Sequence, residues 1–263
     1  MKGLRLSKQS YPLTGKFLAG RLRHAMQERE KALLEGLVEE VREPRDREVV
    51  LARGDFCSHS TVLIDGFMLR TIDDGVDRSI VSFQVPGDFV DLHGFALKRL
   101  DHDIVALGRT RVGIVPHEKL RTVLETEPHL ARLLWFATLL DAAIHREWIA
   151  KRIKLRAPAR VAHLIAELHQ RLAMVGLSRK GGFDTPMTQM NLADMCGLSK
   201  IHISRSLRDL REGGIASFDK GKIEILDEAK LHDLGRFDPA YLYGHGGLEV
   251  RSALDVGADE TRP

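Results

Sequence analysis

The sequence predicts an α+β fold with three parts: an N-terminal antiparallel β-barrel of jelly-roll type, a long central helix, and a C-terminal helical domain closed by a β-hairpin. Short β-type runs separated by Gly, Asp and Pro fill residues 47–115. The longest uninterrupted helical pattern covers residues 127–155, and two short helical patterns followed by a hairpin pattern occupy residues 188–225. The 263 residues are enough for two domains with separate cores.

The order of these patterns divides the chain into four expected segments: 1–126, 127–156, 157–240 and 241–263. The first holds the β domain, and composition and apolar spacing favour a helix over residues 17–40 in front of it. Pro158 marks a hinge after the central helix, because the residue before a proline is pushed out of helical geometry. The last segment is acidic and contains several glycines, which is typical of a flexible tail.

The central helix carries an apolar stripe with a seven-residue repeat. The stripe consists of Leu130, Ala137 and Ile144, with Leu133, Leu134, Leu140 and Trp148 between them. A heptad stripe on a long helix between two domains predicts a dimer seam, so we expect a homodimer. The alternative is that this stripe packs only against the β domain of its own chain.

The stretch "LSKIHISRSLRDLREGGI", residues 198–215, predicts a short helix with one buried face. Ile203, Leu207 and Leu210 form the narrow stripe that packs on a core. Ser199 is placed to cap the start, and Gly213 and Gly214 follow the end. The preceding "TPMTQMNLADMCG" predicts another short helix capped by Thr188, with Gly197 in the turn between the two.

A hairpin pattern follows directly. In "IASFDKGKIEIL", two short runs flank Asp219, Lys220 and Gly221, and apolar and charged residues alternate in the second run. Two helices joined by a glycine turn and followed by a hairpin are typical of a winged helix-turn-helix, whose second helix enters a DNA major groove. The alternative is an ordinary helical subdomain with solvated charges.

The charge distribution agrees with a DNA-binding segment, and the sequence also indicates the cellular compartment of the protein. Residues 156–225 hold 11 Lys/Arg against 7 Asp/Glu, whereas residues 227–263 hold 4 against 8. No apolar run approaches the roughly 20 residues that span a bilayer, and the N-terminus lacks the apolar core of a signal peptide. We therefore expect a cytoplasmic protein with no membrane partner. Cys57 and Cys196 are too few for a disulfide framework.

The sequence resembles the Crp-Fnr family of bacterial transcription regulators over about residues 20–240. The resemblance rests on "VPGDFVDLH", on the long helix, on "TQMNLADMCGLSKIHISRSLRDLREGGI" and on "FDPAYL" after the wing. It implies a cyclic-nucleotide-binding-like sensor in the β domain, dimerisation through the central helix, and recognition of palindromic double-stranded DNA by the paired second helices. RNA polymerase is then the expected protein partner.

Departures from the family pattern argue against the signals that other members of the family sense through a cyclic nucleotide or an iron-sulfur centre. Where cyclic-nucleotide-binding members carry a ribose-binding glutamate, this chain has Leu92, and His102 and Asp103 replace the phosphate clamp. A carboxylate at 103 would repel a phosphate, and no arginine is aligned to offset it. The N-terminal cysteine cluster of the iron-sulfur members is absent. We therefore predict no cofactor, with haem held by a histidine such as His93 as the alternative.

The resemblance places a guanine-reading arginine at Arg205, whose planar fork suits guanine O6 and N7. Ser204 can reach a base or a phosphate, and Ile201 replaces a base-reading glutamate and can pack on a thymine methyl. The remaining candidates are phosphate contacts: Lys200, His202, Thr188, Gln189, Ser199 and Arg208. Capping alone could explain Thr188 and Ser199, and Arg208 could simply be solvated.

Two other classes compete with a DNA-binding regulator. One is a binding module for a small molecule or a protein, in which the helix-turn-helix is not the main functional element. The other is an enzyme, but the sequence has no nucleophile elbow, no H-E-x-x-H, no P-loop and no convincing carboxylate pair. We therefore predict a non-enzymatic protein.

Overall fold

The computed structural model describes residues 11–73, 75 and 77–244. The tail predicted over 241–263 therefore lies outside the described residues from residue 245 onward. The β domain contains helices α1 (Glu28–Leu37), α2 (Gly94–Leu97) and α3 (His117–Thr126) and strands β1 (Glu40–Arg42), β2 (Val49–Leu51), β3 (His59–Asp73), β4 (Arg78–Gln84) and β5 (Asp103–Pro116). Helix α4 (Pro128–Lys154) is the long central helix.

The N-terminal helix is much shorter than the predicted 17–40. Turns occupy residues 11–22, and a short 3-10 helix, Arg23–Ala25, precedes α1. Leu18 and Gly20 adopt left-handed backbone conformations, with φ of 51° and 68°, which interrupt an α-helix. Helical composition was the wrong guide here, because the chain bends to pack Phe17 and Leu22 into the core below α4.

The β domain is built on one antiparallel sheet with strand order β1-β5-β3-β4, and β2 also pairs with β5. The two longest strands, β3 and β5, are paired along most of their length with register shifts near Asp65. Among the described residues no ladder joins β4 to β1, so the predicted barrel is a loose description of an open, bent sheet. The α+β class and the antiparallel architecture are confirmed.

Helix α4 buries the stripe that was predicted to form the dimer seam. Six of its seven residues, all except the half-buried Ala137, are buried inside the protomer. The first half of the stripe packs with Phe17 and Val62, and the second half packs with Phe83 and Ile165. That assignment of seam residues was therefore wrong. The alternative, packing only against the β domain of the same chain, holds for the first half of the stripe, whereas the second half packs on helix α5 (Ala157–Met174) as well.

A different face of α4 is apolar and open. It consists of Trp135, Leu139, Ala142, Arg146, Ile149 and Ile153, at alternating spacings of four and three residues. Trp135 is 65% exposed, Leu139 50%, Ile149 59% and Ile153 77%. The heptad period was read correctly, but both faces of the helix carry it, and the period alone cannot say which face the β domain covers.

The C-terminal domain begins with α5 (Ala157–Met174), with Pro158 in its first turn. It continues with β6 (Ser178–Arg179), β7 (Gly182–Asp184), α6 (Gln189–Cys196), α7 (Lys200–Glu212), β8 (Ala216–Asp219), β9 (Lys222–Ile225), α8 (Glu228–Gly235) and the 3-10 helix Pro239–Leu242. The predicted hairpin is β8–β9, and it extends into a four-stranded sheet of order β6-β7-β9-β8. In the described part of the chain, no helix is both long and apolar enough to cross a membrane.

Buried polar contacts join the two domains. The Arg171 side chain on α5 donates to the Phe83 carbonyl at 2.7 Å and to the Asp88 carboxylate at 3.1 Å in the β domain. Beside it, Glu167 accepts hydrogen bonds from Trp148 on α4 at 2.9 Å and from Tyr241 at 2.7 Å. The "FDPAYL" segment is therefore part of the junction between α4 and α5.

Candidate nucleic-acid interface

Helices α6 and α7 form a helix-turn-helix whose local geometry follows the sequence closely. The Ser199 hydroxyl caps α7 by accepting the His202 N–H at 3.3 Å. Gly197 ends α6 in the left-handed conformation, with φ of 61°. Ile203 and Leu210 are buried, and Leu207 is half-buried, so the predicted stripe faces the core.

The opposite face of α7 is open and cationic. Lys200, Arg205 and Arg208 are exposed, and within the described residues none of the three forms an ion pair. Unpaired cations on one exposed helix face are suited to a polyanion, because they keep their charge available for phosphate or base contacts. Ile201, on the same face, is 70% exposed.

Two predicted contact residues are joined by a hydrogen bond. The Gln189 amide nitrogen, at the start of α6, donates to the Ser204 hydroxyl on α7 at 2.5 Å. Gln189, predicted as a phosphate contact, is half-buried, and its amide links the two helices. Because the Ser204 oxygen accepts this bond, its hydroxyl hydrogen is free to donate outward.

Thr188, Ser199 and His202 have structural partners of their own. Thr188 forms a capping box with Asn191: its hydroxyl accepts the Asn191 N–H at 3.2 Å, and its own N–H donates to the Asn191 side-chain oxygen at 2.8 Å. The His202 ring nitrogen Nδ1 lies 2.9 Å from the Ser199 hydroxyl. All three side chains are exposed, so capping does not occupy their outer surface.

The wing turn carries a basic residue, Lys220, that was not among the predicted contact residues. Lys220 is exposed in the β8–β9 turn with φ of 47°. The turn is held against the segment before α6, because the Thr185 N–H donates to the Gly221 carbonyl at 2.9 Å. Lys220 therefore lies beside the start of α6, and its position in the Asp-Lys-Gly turn was the available signal.

The sensor domain holds a polar cluster at the positions that resemble a nucleotide clamp. His102 is buried, and its Nδ1 lies 2.7 Å from an Asp101 carboxylate oxygen. Asp103 accepts the Arg53 backbone N–H at 2.6 Å. Comparison with the family pattern predicts no arginine at the clamp positions, but the fold brings Arg70 close from β3. Its guanidinium is buried and already paired with the Asp141 carboxylate on α4.

Burial sets the protonation of this cluster. Burial, together with the positive charge of Arg70, lowers the pKa of His93 to about 4, so the ring is neutral at pH 7. The same two causes lower the pKa of His102. Burial raises the pKa of Asp91 to about 7, opposed by its hydrogen bond from Thr61. Within the described residues, no group of three or more His, Cys, Asp or Glu is placed to hold a metal ion.

A helix-turn-helix with a wing and an exposed cationic second helix defines the class of DNA-binding transcription regulators. Residues 159–234 match the family model of the Crp-like helix-turn-helix domain. The transcriptional activator FnrL of Cereibacter sphaeroides is 27% identical over 211 residues, which cover 77% of this chain and 81% of FnrL. The nitrogen fixation regulator FixK of Bradyrhizobium diazoefficiens is 26% identical over 192 residues, covering 71% and 78%.

Solved structures share the fold. FixK2 of Bradyrhizobium japonicum superposes with a TM-score of 0.68 at 22% identity, covering 74% of this chain and 96% of that one. A CRP/FNR-family regulator of Thermus thermophilus gives 0.60 at 19% identity, covering 75% and 99%. Residues 159–234 form a Crp-like helix-turn-helix domain, and the chain is similar to transcription regulators of the Crp-Fnr family, a non-enzymatic family. The family resemblance, the regulator class and the non-enzymatic prediction are therefore confirmed.

Proposed function

We propose that this regulator binds inverted-repeat promoter DNA as a homodimer through α7 of each protomer, and that its sensor domain responds to a signal other than cyclic AMP. The observation that carries the proposal is the open, unpaired cationic face of α7. Two such helices related by a two-fold axis would meet successive major grooves about 34 Å apart.

Three side chains on α7 are proposed to read bases. Arg205 bonds guanine through O6 and N7, and Ser204 donates its free hydroxyl hydrogen to a base acceptor. Ile201 cannot accept a hydrogen bond, but its exposed side chain can pack on a thymine methyl. Lys200, His202, Arg208, Thr188 and Ser199 are proposed phosphate contacts, while Gln189 positions Ser204.

The dimer is proposed to form through the open face of α4 rather than through the buried stripe. Its four large apolar side chains are each at least half exposed in the protomer. Burying them in a two-fold coiled coil would remove this apolar surface from water. Because promoter-bound regulators of this class act on transcription, we also propose RNA polymerase as a partner, to be tested by transcription from the bound site.

Paired salt titrations test the base-reading role. Arg205→Ala should weaken binding to the best site by about 1–3 kcal/mol and relax preference at one base pair per half-site. Lys200→Ala should lower affinity for all sequences alike and reduce the salt slope by roughly one counterion per protomer. Equal losses for Arg205→Ala on specific and scrambled DNA would make Arg205 a phosphate contact.

Selection from a random DNA pool supplies the best site and also tests the wider proposal. A gel shift at low-micromolar protein should recover an inverted repeat. If no duplex is retained, the binding-module alternative replaces DNA binding as the main function. Melting curves of both variants should match that of the unchanged protein, because Arg205 and Lys200 are exposed.

A further inference from the structure

We infer that arginines of the sensor domain, chiefly Arg109 and Arg47, form a second phosphate-binding surface that contacts the DNA flanking each half-site. This inference rests on the proposed function. It concerns residues outside the helix-turn-helix, and the helix-turn-helix pattern gives no reason to expect them.

The first observation is a direct contact between the sensor domain and the segment that leads into α6. The turn at Gly108, with φ of 69°, lies so close to Pro186 that a Cβ atom there would be 2.7 Å from the proline Cγ. Pro186 is two residues before Thr188, the cap of α6. Arg109 follows Gly108 directly and is exposed. The Arg109 side chain therefore starts from a backbone fixed beside the N-terminus of α6.

The second observation is a cleft of about 270 Å³ between the two domains. Arg47 and Arg78 line one wall, and Thr188, Met190 and Asn191 line the other. Arg78 is bound to Asp194 at 2.9 Å, so its charge is used to hold α6 in place. Arg47 is 77% exposed, and its nearest carboxylate, Asp46, is 3.7 Å away.

The loop that carries Arg47 is held firmly on the sheet. The Arg47 N–H donates to the Ala106 carbonyl at 3.0 Å, and the Asp46 carboxylate accepts the Gly108 N–H at 2.7 Å. Glu48 accepts the Arg45 N–H at 2.9 Å, and Glu43 pairs with Arg111. The Asp46 carboxylate also forms an ion pair with Arg47, but both side chains are exposed to solvent, where such a pair is weak. Arg109 and Arg45 form no ion pair among the described residues.

The positions of Arg109 and Arg47 beside the start of α6 indicate that duplex DNA is the partner of this surface. With α7 in the major groove, the start of α6 faces the sugar-phosphate backbone at the edge of the half-site. Lys220 lies on the wing side of that segment, and Arg109 and Arg47 lie on its sensor side. A strand that continues past α6 meets the two arginines next, and their charges are suited to phosphates regardless of sequence.

The test uses the full-length protein and two DNA fragments that share the selected site. The short fragment ends at the outer edge of the half-sites, and the long one extends about one helical turn farther on each side. Arg109→Ala should match the unchanged protein on the short fragment. On the long fragment its salt slope should be smaller by about two, one phosphate per protomer, and Arg47→Ala should behave the same way.

That slope difference has a measurable size. Between about 50 and 200 mM salt, the unchanged protein should lose about 12-fold more affinity than Arg109→Ala on the long fragment. Arg109→Lys should keep most of the slope, because lysine also binds phosphate. Arg121→Ala is the matched control: it removes one exposed arginine from α3, elsewhere on the sensor domain, and should leave both slopes unchanged.

The outcomes separate this inference from the proposed function. If the unchanged protein binds both fragments with the same slope, or if Arg109→Ala loses equally on both, the flanking contact does not exist and half-site binding stands. If the unchanged protein binds neither fragment, DNA binding itself fails and this inference fails with it.

Discussion

Two alanine substitutions on α4 test which face of the helix forms the dimer seam: Ile149→Ala on the open face and Ile144→Ala on the buried stripe. Ile149 is 59% exposed in the protomer. Fully burying such a side chain contributes about 1.5–3 kcal/mol, so burying the exposed part contributes about 0.9–1.8 kcal/mol per protomer. Two copies meet in the dimer, so Ile149→Ala should weaken dimerisation by at most about 2–3.5 kcal/mol, or roughly 20- to 400-fold.

Ile144 supplies the matched control, because it lies on the same helix but is buried against the protomer's own core. Ile144→Ala should lower the free energy of unfolding by about 2–4 kcal/mol through loss of packing. It should leave the dimer dissociation constant within about twofold, since it removes no surface that a second copy would cover.

Sedimentation equilibrium over a range of protein concentrations measures the dissociation constants, and urea unfolding measures the stabilities. Both variants are compared at a temperature below the melting transition of each. The reasoning is refuted if Ile144→Ala weakens dimerisation and Ile149→Ala does not. A monomer at micromolar concentration, with and without DNA, would remove the proposed dimer altogether.

Burial holds the Asp91 pKa at about 7 against an ordinary value of 3.8, so its contribution to stability is lost as the pH rises from about 4 to 7, by up to about 4 kcal/mol. Asp91→Asn should remove that pH dependence in urea unfolding, and an unchanged slope would contradict it. The pKa of His93 is lowered from 6.5 to about 4, so the free energy of unfolding should fall by up to about 3 kcal/mol as the pH falls through this window, and His93→Leu should flatten the curve. Glu167→Gln leaves the buried Arg171 charge short of a partner and should cost about 3–5 kcal/mol in thermal or urea unfolding; a loss under about 1 kcal/mol would show that Asp88 suffices. Calorimetry should detect no binding of cyclic AMP, and low-micromolar affinity would show that another residue replaces the clamp.

The helix-turn-helix was predictable because its signals are local. The capping roles of Thr188 and Ser199 and the left-handed Gly197 each involve residues within a few positions of one another. The same holds for the β8–β9 hairpin, whose turn residues and alternation are contiguous. Strand β7, in contrast, pairs with β9 of the wing although the two strands are far apart in the sequence. No short sequence pattern predicts this pairing.

The placement of the candidate contact residues could be predicted only in part, for the same reason. Helix geometry alone places Arg205 and Ile201 on the open face of α7. The hydrogen bond from Gln189 to Ser204 joins two helices, so a single-helix argument cannot find it. Arg109 and Arg47 belong to the sensor domain, and contacts between distant parts of the chain, such as that of Gly108 with Pro186, bring that domain to the helix-turn-helix.

The structure gives a stronger argument against a phosphate-bearing signal than the sequence does. The sequence shows only that the clamp arginine of the family pattern is missing, yet the fold places Arg70 nearby, where it could bind a phosphate. Its guanidinium donates to the Val90 carbonyl at 2.9 Å and is paired with Asp141, a residue of α4. A phosphate that took Arg70 would leave the half-buried Asp141 carboxylate without its partner, and breaking such a pair costs several kcal/mol unless a new cation replaces it. The Asp141 carboxylate is therefore already paired with Arg70. This ion pair joins the sensor sheet to α4, the proposed dimer helix. A signal that acts on this domain has to bind without displacing that ion pair, or it has to supply a cation in exchange.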